Sequence, residues 1–137
     1  MTDLEKMQQW LQTYPGWQGA LQVDCTDPVP GNAGLFCEGL EERTRQADIV
    51  GNLQFACRYR FVLYRRVSRD GGAADARWLL DFQNWVQRQS TLGLAPHFGD
   101  VPHLEQMQAQ KGMLKDRGQT SLYTVTLTAD FTRVYER

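Results

Sequence analysis

Hydrophobic and polar positions alternate most cleanly between Leu53 and Val67. There Leu53, Phe55, Cys57, Tyr59, Phe61 and Leu63 fall on one side, and Gln54, Arg58, Arg60, Tyr64 and Arg66 on the other. A period of two, sustained through aromatic and aliphatic residues, predicts a β-strand with one buried and one wetted face. Strands usually run for roughly 5–6 residues, so this one is expected to bend or to reach past the core it helps to build. A second alternation sets Tyr123, Val125, Leu127, Ala129, Phe131 and Tyr135 against Thr124, Thr126, Thr128, Asp130 and Thr132, and predicts a closing strand from Leu122 to Tyr135.

In two places the period lengthens to that of a helix. Thr2-Asp3-Leu4-Glu5 fits a capping box, and Leu4, Met7, Trp10, Leu11 and Tyr14 form an apolar stripe until Pro15-Gly16 ends it. Trp78, Leu79, Phe82, Trp85 and Val86 form a wider stripe, with Asp75 the predicted cap and Gly93 the predicted terminal glycine. Between the helices, Ala20 to Cys25 predicts a short strand, and the two prolines of Asp27 to Asn32 forbid regular structure. Gly34 to Leu40 predicts a strand that continues into the charged piece Glu41 to Arg45, turns over Asp48 to Asn52 and pairs with the central strand as a hairpin. A polar loop, Arg69 to Ala74, leads into the second helix. Beyond that helix come a proline-bearing loop, a strand from His103 to Met113 and a polar turn from Lys115 to Thr120.

Two long strands and two helices with matching apolar faces predict an α+β fold. Its two layers are an antiparallel-rich β-sheet with both helices packed on one face, and a long β-hairpin arm. Phe61 is expected to meet Phe82 or Trp85 across the layer. At 137 residues and 42% hydrophobic content, the chain suits one domain over residues 1–137. No apolar run approaches the ~18 residues of a membrane span, and no signal-peptide pattern opens the sequence, so a soluble protein is expected.

Charge and chemistry narrow the function. The net charge of −1, from 15 basic and 16 acidic residues, gives no general attraction to nucleic acid. Cys25, Cys37 and Cys57 are odd in number and widely spaced, which suits reduced core thiols better than disulfides or zinc. His97 and His103 stand six apart across the proline-bearing loop without metal-ligand spacing, and no serine sits in a nucleophile elbow. Neither catalytic residues nor a cofactor or metal site are expected, and the protein reads as no enzyme. The densest positive patch is formed by the arginines at 58, 60, 65, 66 and 69. The candidate subunit interface comprises Glu41, Glu42, Arg43, Arg45 and Asp48 of the arm together with Arg58, Arg60 and Arg66, the acidic Glu41, Glu42 and Asp48 being the expected partners of those three arginines on a neighbour's sheet face.

The order of these segments resembles that of the tail-terminator (minor capsid, tail-completion) proteins of bacteriophages and prophages. The likeness lies in the first helix ending WLQTYP, the strand FACRYRFVLYRR after a polar hairpin, the helix and loop FQNWVQRQSTLGLAPHF, and the close through Phe131 to Val134-Tyr135-Glu136. The resemblance implies a structural α+β subunit that forms a homo-oligomeric, hexameric ring. Such a ring caps the tail tube and joins it to the head connector. The implied partners are the chain itself, the tail-tube protein and the head-connector protein, with no membrane and no specific nucleic acid, although genome DNA passes through such a ring. The implied places are the bacterial host cytoplasm during assembly and then the virion tail. The residues leave a second reading open, a small cytosolic module that binds a peptide or ligand, or dimerises, through its open sheet face.

Overall fold

Strand pairing follows the two alternations. The structure, a computed structural model, describes residues 1–17, 19–24, 31–67, 72–110, 113–117 and 120–136, with the backbone alone at 72–75, 113–117 and 120–121. In chain order the elements are α1 (Asp3–Gln12), β1 (Leu21–Val23), β2 (Ala33–Ala47), β3 (Leu53–Val67), α2 (Gly72–Thr91), a 3-10 turn (Pro102–Leu104), β4 (Gln106–Ala109), β5 (Met113–Arg117) and β6 (Thr120–Tyr135). Among the described residues the sheet has six strands, in the order β1-β2-β3-β6-β4, and β5 also lies on β6. All pairs are antiparallel except β1 with β2, which is parallel. β3 is the spine, paired with β2 on one side and with β6 on the other from Leu53↔Tyr135 to Val67↔Ser121.

Both helices sit on one face, as the apolar stripes predict. Met7, Trp10 and Leu11 of α1, Trp78, Phe82 and Val86 of α2, and Phe61, Leu63, Val125, Leu127 and Phe131 of the sheet form one buried cluster. The Thr2 hydroxyl accepts from the Glu5 amide at 3.2 Å and starts α1. Gly93, at φ 72°, ends α2 in a Schellman arrangement, with Leu94 N–H donating to Gln89 O at 2.9 Å and Gly93 N–H to Ser90 O at 3.2 Å. Trp10 of α1 and Trp85 of α2 stack at 4.9 Å, Tyr14 just past α1 meets Phe82 edge-on, and within α2 Trp78 and Phe82 stack at 5.2 Å. The rings paired with Phe61 are those of Tyr59 at 5.7 Å and Phe98 at 6.5 Å. A loop aromatic, Phe98, thus joins Phe61 in the buried cluster that also holds Phe82, whose ring meets those of Tyr14 and Trp17.

Three expectations change. The second helix starts at Gly72, not after an Asp75 cap, because Ala73, Ala74 and Ala76 are strong helix formers and extend it backwards into the predicted loop. The strand expected over His103 to Met113 is shorter at its start, since Pro102 opens a 3-10 turn, and among the described residues of that span pairing covers Gln106–Ala109 and then Met113, the first residue of β5. Part of the expected turn at Lys115 to Thr120 is β5, whose residues pair with Thr120 to Thr124 of β6. β4 and β5 thereby cover successive parts of a strand too long for either one. Cys25, the proline-bearing sequence to residue 30 and residues 68–71, with Arg69, lie outside the described residues.

The loop after α2 is held by one carboxylate. Glu105 Oε1 accepts from the Phe98 amide at 2.6 Å and the Gly99 amide at 2.8 Å, and Oε2 lies 2.6 Å from His97 Nδ1. Gly99 runs so close to β6 that a Cβ there would stand 2.3 Å from Thr132 O. The next residue closes that edge, with Asp100 N–H donating to Thr132 O and Asp100 Oδ2 accepting from Val134 N–H, both at 2.8 Å.

Candidate assembly surface

β2 and β3 are longer than the helices can cover, and the excess is the arm. Residues 41–50 are exposed throughout, and Cys57 is the last buried residue of β3 on the way to the tip. At about 3.3 Å per residue the hairpin extends roughly 20 Å beyond it. Two register shifts, between Cys37 and Gly39 and between Glu42 and Thr44, leave Glu38 and Arg43 without opposite numbers on β3. The first needs Gly39, whose φ of 129° is closed to other residues. The tip is built firmly: Asp48 Oδ1 accepts from Val50 N–H at 3.0 Å and Asn52 N–H at 2.8 Å, and Gly51 takes a positive φ of 90°. This closure leaves Ile49 fully and Val50 largely in solvent.

The charges expected to reach a neighbour find partners in their own chain. Arg60 pairs with Glu41 across the hairpin at 3.3 Å, and Arg45 with Glu42 at 2.9 Å. Arg58 grips Asp130 with two bonds, at 2.6 and 3.0 Å, and Arg43 approaches the same carboxylate at 3.9 Å. Asp48 closes its turn. Arg66 is half-buried in β3, its backbone bonded to Gly31 and Asn32. Arg65 belongs to the core side, buried with its guanidinium 4.5 Å over the Trp78 ring. The predicted patch of positive charge is therefore split between two faces, as strand alternation requires. Asp130, the acceptor for Arg58, is polar within an alternating strand, a signal legible only once its register opposite Arg58 is known.

Exposed apolar surface lies on the side of the arm opposite Arg58 and Arg60, alongside Glu42 and Arg45. Leu40, Leu53, Phe55 and Tyr135 continue the core face past the helices and, with Glu42, Cys57 and Arg133, line a hollow of about 380 Å³. Phe55 meets Tyr135 edge-on at 5.3 Å, and Arg45 lies 4.8 Å over the Phe55 ring. Alternation alone places Phe55 and Leu53 on the buried side. In the fold they are half-buried because the helical layer stops before them.

Where arm and body join, Tyr59 donates to Asp3 Oδ2 at 2.5 Å and accepts from Arg133 at 3.1 Å. Burial first, and then the Asp3 bond, raises the Tyr59 phenol above its ordinary value of 10.0. Burial and Asp81 raise Tyr14 likewise. Phenols that ionise later folded than unfolded stabilise the fold fully below about pH 10 and less as pH rises through the folded values. Thermal melts from about pH 8 to about pH 11 are expected to show the midpoint falling above pH 10, with a smaller fall in Tyr59→Phe than in the unchanged chain.

Among the described residues no group of three His, Cys, Asp or Glu side chains stands close enough to hold a metal ion, and no helix is long and apolar enough to cross a membrane. Cys37 is exposed; Cys57 is buried, and burial raises its thiol pKa. His97 is exposed and is also bound to Glu105 as part of the loop clamp. No family model matches this chain, and no curated protein matches it significantly.

Proposed function

We propose that the chain is a structural subunit of a bacteriophage or prophage tail, a tail terminator that assembles with copies of itself into a closed, hexameric ring between tail tube and head connector. The observation that carries this reading is the arm: a hairpin stiffened by its turn, extending beyond the core, with an apolar side that its own helices leave bare. Exposed apolar surface rimmed by polar groups characterises association sites. A surface of this kind at one end of a subunit favours head-to-tail contacts, which close into rings. The segment order supports the family, and the ring would work in the host cytoplasm and then in the virion.

The alternative, a module binding through the outer sheet face, has less support. That face holds arginines already paired within the chain, and its centre, Val62 and Thr128, is covered. Native mass spectrometry over a range of concentrations tests the choice. One discrete species near six copies is expected, whereas a dimer with nothing larger would favour the module. Because the arm's charges are paired in cis and exposed pairs contribute only about 0–1 kcal/mol, the assembled fraction is expected to change little as salt is raised. Dissolution of the assembly by salt would overturn the apolar interface.

A further inference from the structure

In an antiparallel sheet, every second residue of a strand turns its backbone N–H and C=O to one neighbour and the alternate residues turn theirs the other way. Ala33 N–H donates to Ala20 O and Leu35 O accepts from Asp24 N–H, so these residues of β2 face β1. Arg66 N–H donates to Asn32 O, so the even-numbered residues of β3 face β2. Arg60 and Arg58 stand opposite Gly39 and Glu41, whose backbones are therefore directed to β3, and those of Leu40 and Glu42 point outward. β1 ends opposite Leu35, and among the described residues no strand lies on the outer side of β2 from Cys37 to Ala47. The far side of the sheet is mostly sealed by side chains. Asp100 closes β6 at Thr132 and Val134, and on β4 Met107 N–H donates to Ser90 Oγ at 2.9 Å while Ala109 O accepts from Gln83 Nε2 at 3.2 Å. β5 is the exception. Gln110 N–H donates to Thr126 O, so even-numbered residues of β6 face this side; Met113, Lys115 and Arg117, opposite Thr124, Leu122 and Thr120, turn to β6, and the backbones of Leu114 and Asp116 point outward. No strand lies on them among the described residues.

We infer that the β2 edge of one copy pairs with the β5 edge of the next, residues 39–42 against 113–117, so that neighbouring sheets join through main-chain hydrogen bonds. The inference rests on the reading of the chain as a self-assembling subunit and names the edges that meet. A row of N–H and C=O groups at two-residue spacing fits an extended strand. The lengths agree: the bulges at Glu38 and Arg43 bound the regular run of β2 and leave Leu40 and Glu42 outward within it, and β5 offers Leu114 and Asp116. The directions agree as well. β2 with β3, β3 with β6 and β6 with β5 are all antiparallel, so β2 and β5 of one chain run in opposite senses and a rotated copy presents an antiparallel mate. Two different edges meet, so the contact is heterologous and each copy offers one of each. β5 lies toward the end of the sheet away from the arm, which staggers successive copies and tilts the strands against the ring axis, as a closed sheet requires. The pairing uses backbone groups and leaves the ion pairs of the arm as they are.

Hydrogen exchange resolved to single amides, on the dilute monomer and on the assembled chain, supplies the test. In the monomer the outward amides of Leu40, Glu42, Leu114 and Asp116 are expected to exchange faster than the inward ones of Gly39, Glu41 and Lys115; in the assembly that difference is expected to vanish on both edges. Protection on one edge alone, or on neither, in a protein that native mass spectrometry shows to be assembled overturns the inference and leaves the ring reading standing. A chain that stays monomeric at every concentration removes both. A pair of variants checks the bonds themselves. Glu42→Pro deletes an N–H that the chain's own sheet does not use, and edge strands tolerate proline; Glu42→Ala deletes the side chain and keeps that N–H. In sedimentation velocity Glu42→Pro is expected to lose assembly at the thermal midpoint of the unchanged chain, and Glu42→Ala to assemble as before. Equal assembly by the two variants overturns the inference. Where Glu42→Pro melts lower, the exchange of the unchanged chain decides alone.

Discussion

Phe61→Ala is expected to lower the stability of the fold by about 3–5 kcal/mol, the usual cost of truncating a buried aromatic. Phe61 is 1% exposed, lies on the core face of the strand that pairs on both sides, and meets the rings of Tyr59 and Phe98. Domains hold only about 5–15 kcal/mol in all, so the variant should lie near its unfolding threshold and be poorly soluble. Arg60→Ala, one residue away, faces solvent and breaks only an exposed pair with Glu41. Its expected cost is under about 1 kcal/mol. Urea denaturation of the two variants checks the contrast. Equal effects would mean that the faces of β3 are assigned wrongly, and the apolar inner side of the arm would go with them.

The parts of the fold that the sequence made legible are those governed by one periodicity at a time. The faces of β3 and β6, the stripes of both helices, the Thr2 cap and the Gly93 terminus all follow from local spacing, and local spacing decides which side of an element is buried. What was not legible depends on length and on distant partners. Whether His103 to Met113 forms one strand depends on where β6 runs, and Pro102 shortens it from one end. Phe98 gave no periodic signal, yet it lies beside Tyr59, Phe61 and Phe131 because Glu105, seven residues on, fixes the loop that carries it.

The same distinction runs through the candidate surface. That the hairpin would be long and polar on one side could be read from Leu53 to Val67 and Glu41 to Arg45. Which charges were free could not, because the pairs Arg58 with Asp130 and Arg60 with Glu41 depend on register across strands up to 72 residues apart. A one-residue slip would reverse the faces of a strand, and the bulges at Glu38 and Arg43 are such local shifts. Alternation likewise marks Leu53 and Phe55 as core without saying that the helices end before reaching them. The bare inner side of the arm is a consequence of element lengths, and lengths are where periodicity is least informative.

Glu105→Ala tests the loop that completes the core. The Glu105 side chain is 7% exposed and accepts the amides of Phe98 and Gly99 as well as His97 Nδ1. Removing it leaves two amides in a partly buried place without acceptors, each omission costing about 1–3 kcal/mol. The expected loss is about 2–4 kcal/mol, part of it through looser packing of Phe98 on Tyr59 and Phe131. Glu105→Gln keeps an oxygen for both amides and should cost distinctly less. His97→Ala removes one bond from a ring that is 43% exposed and should cost less than about 1 kcal/mol. Hydrogen exchange separates a local effect from a global one: in Glu105→Ala the Phe98 and Gly99 amides should exchange faster than those of α2, whose own bonds are intact. Unchanged protection at those two amides would show that the close approach of Gly99 to Thr132, rather than the carboxylate, holds the loop in place.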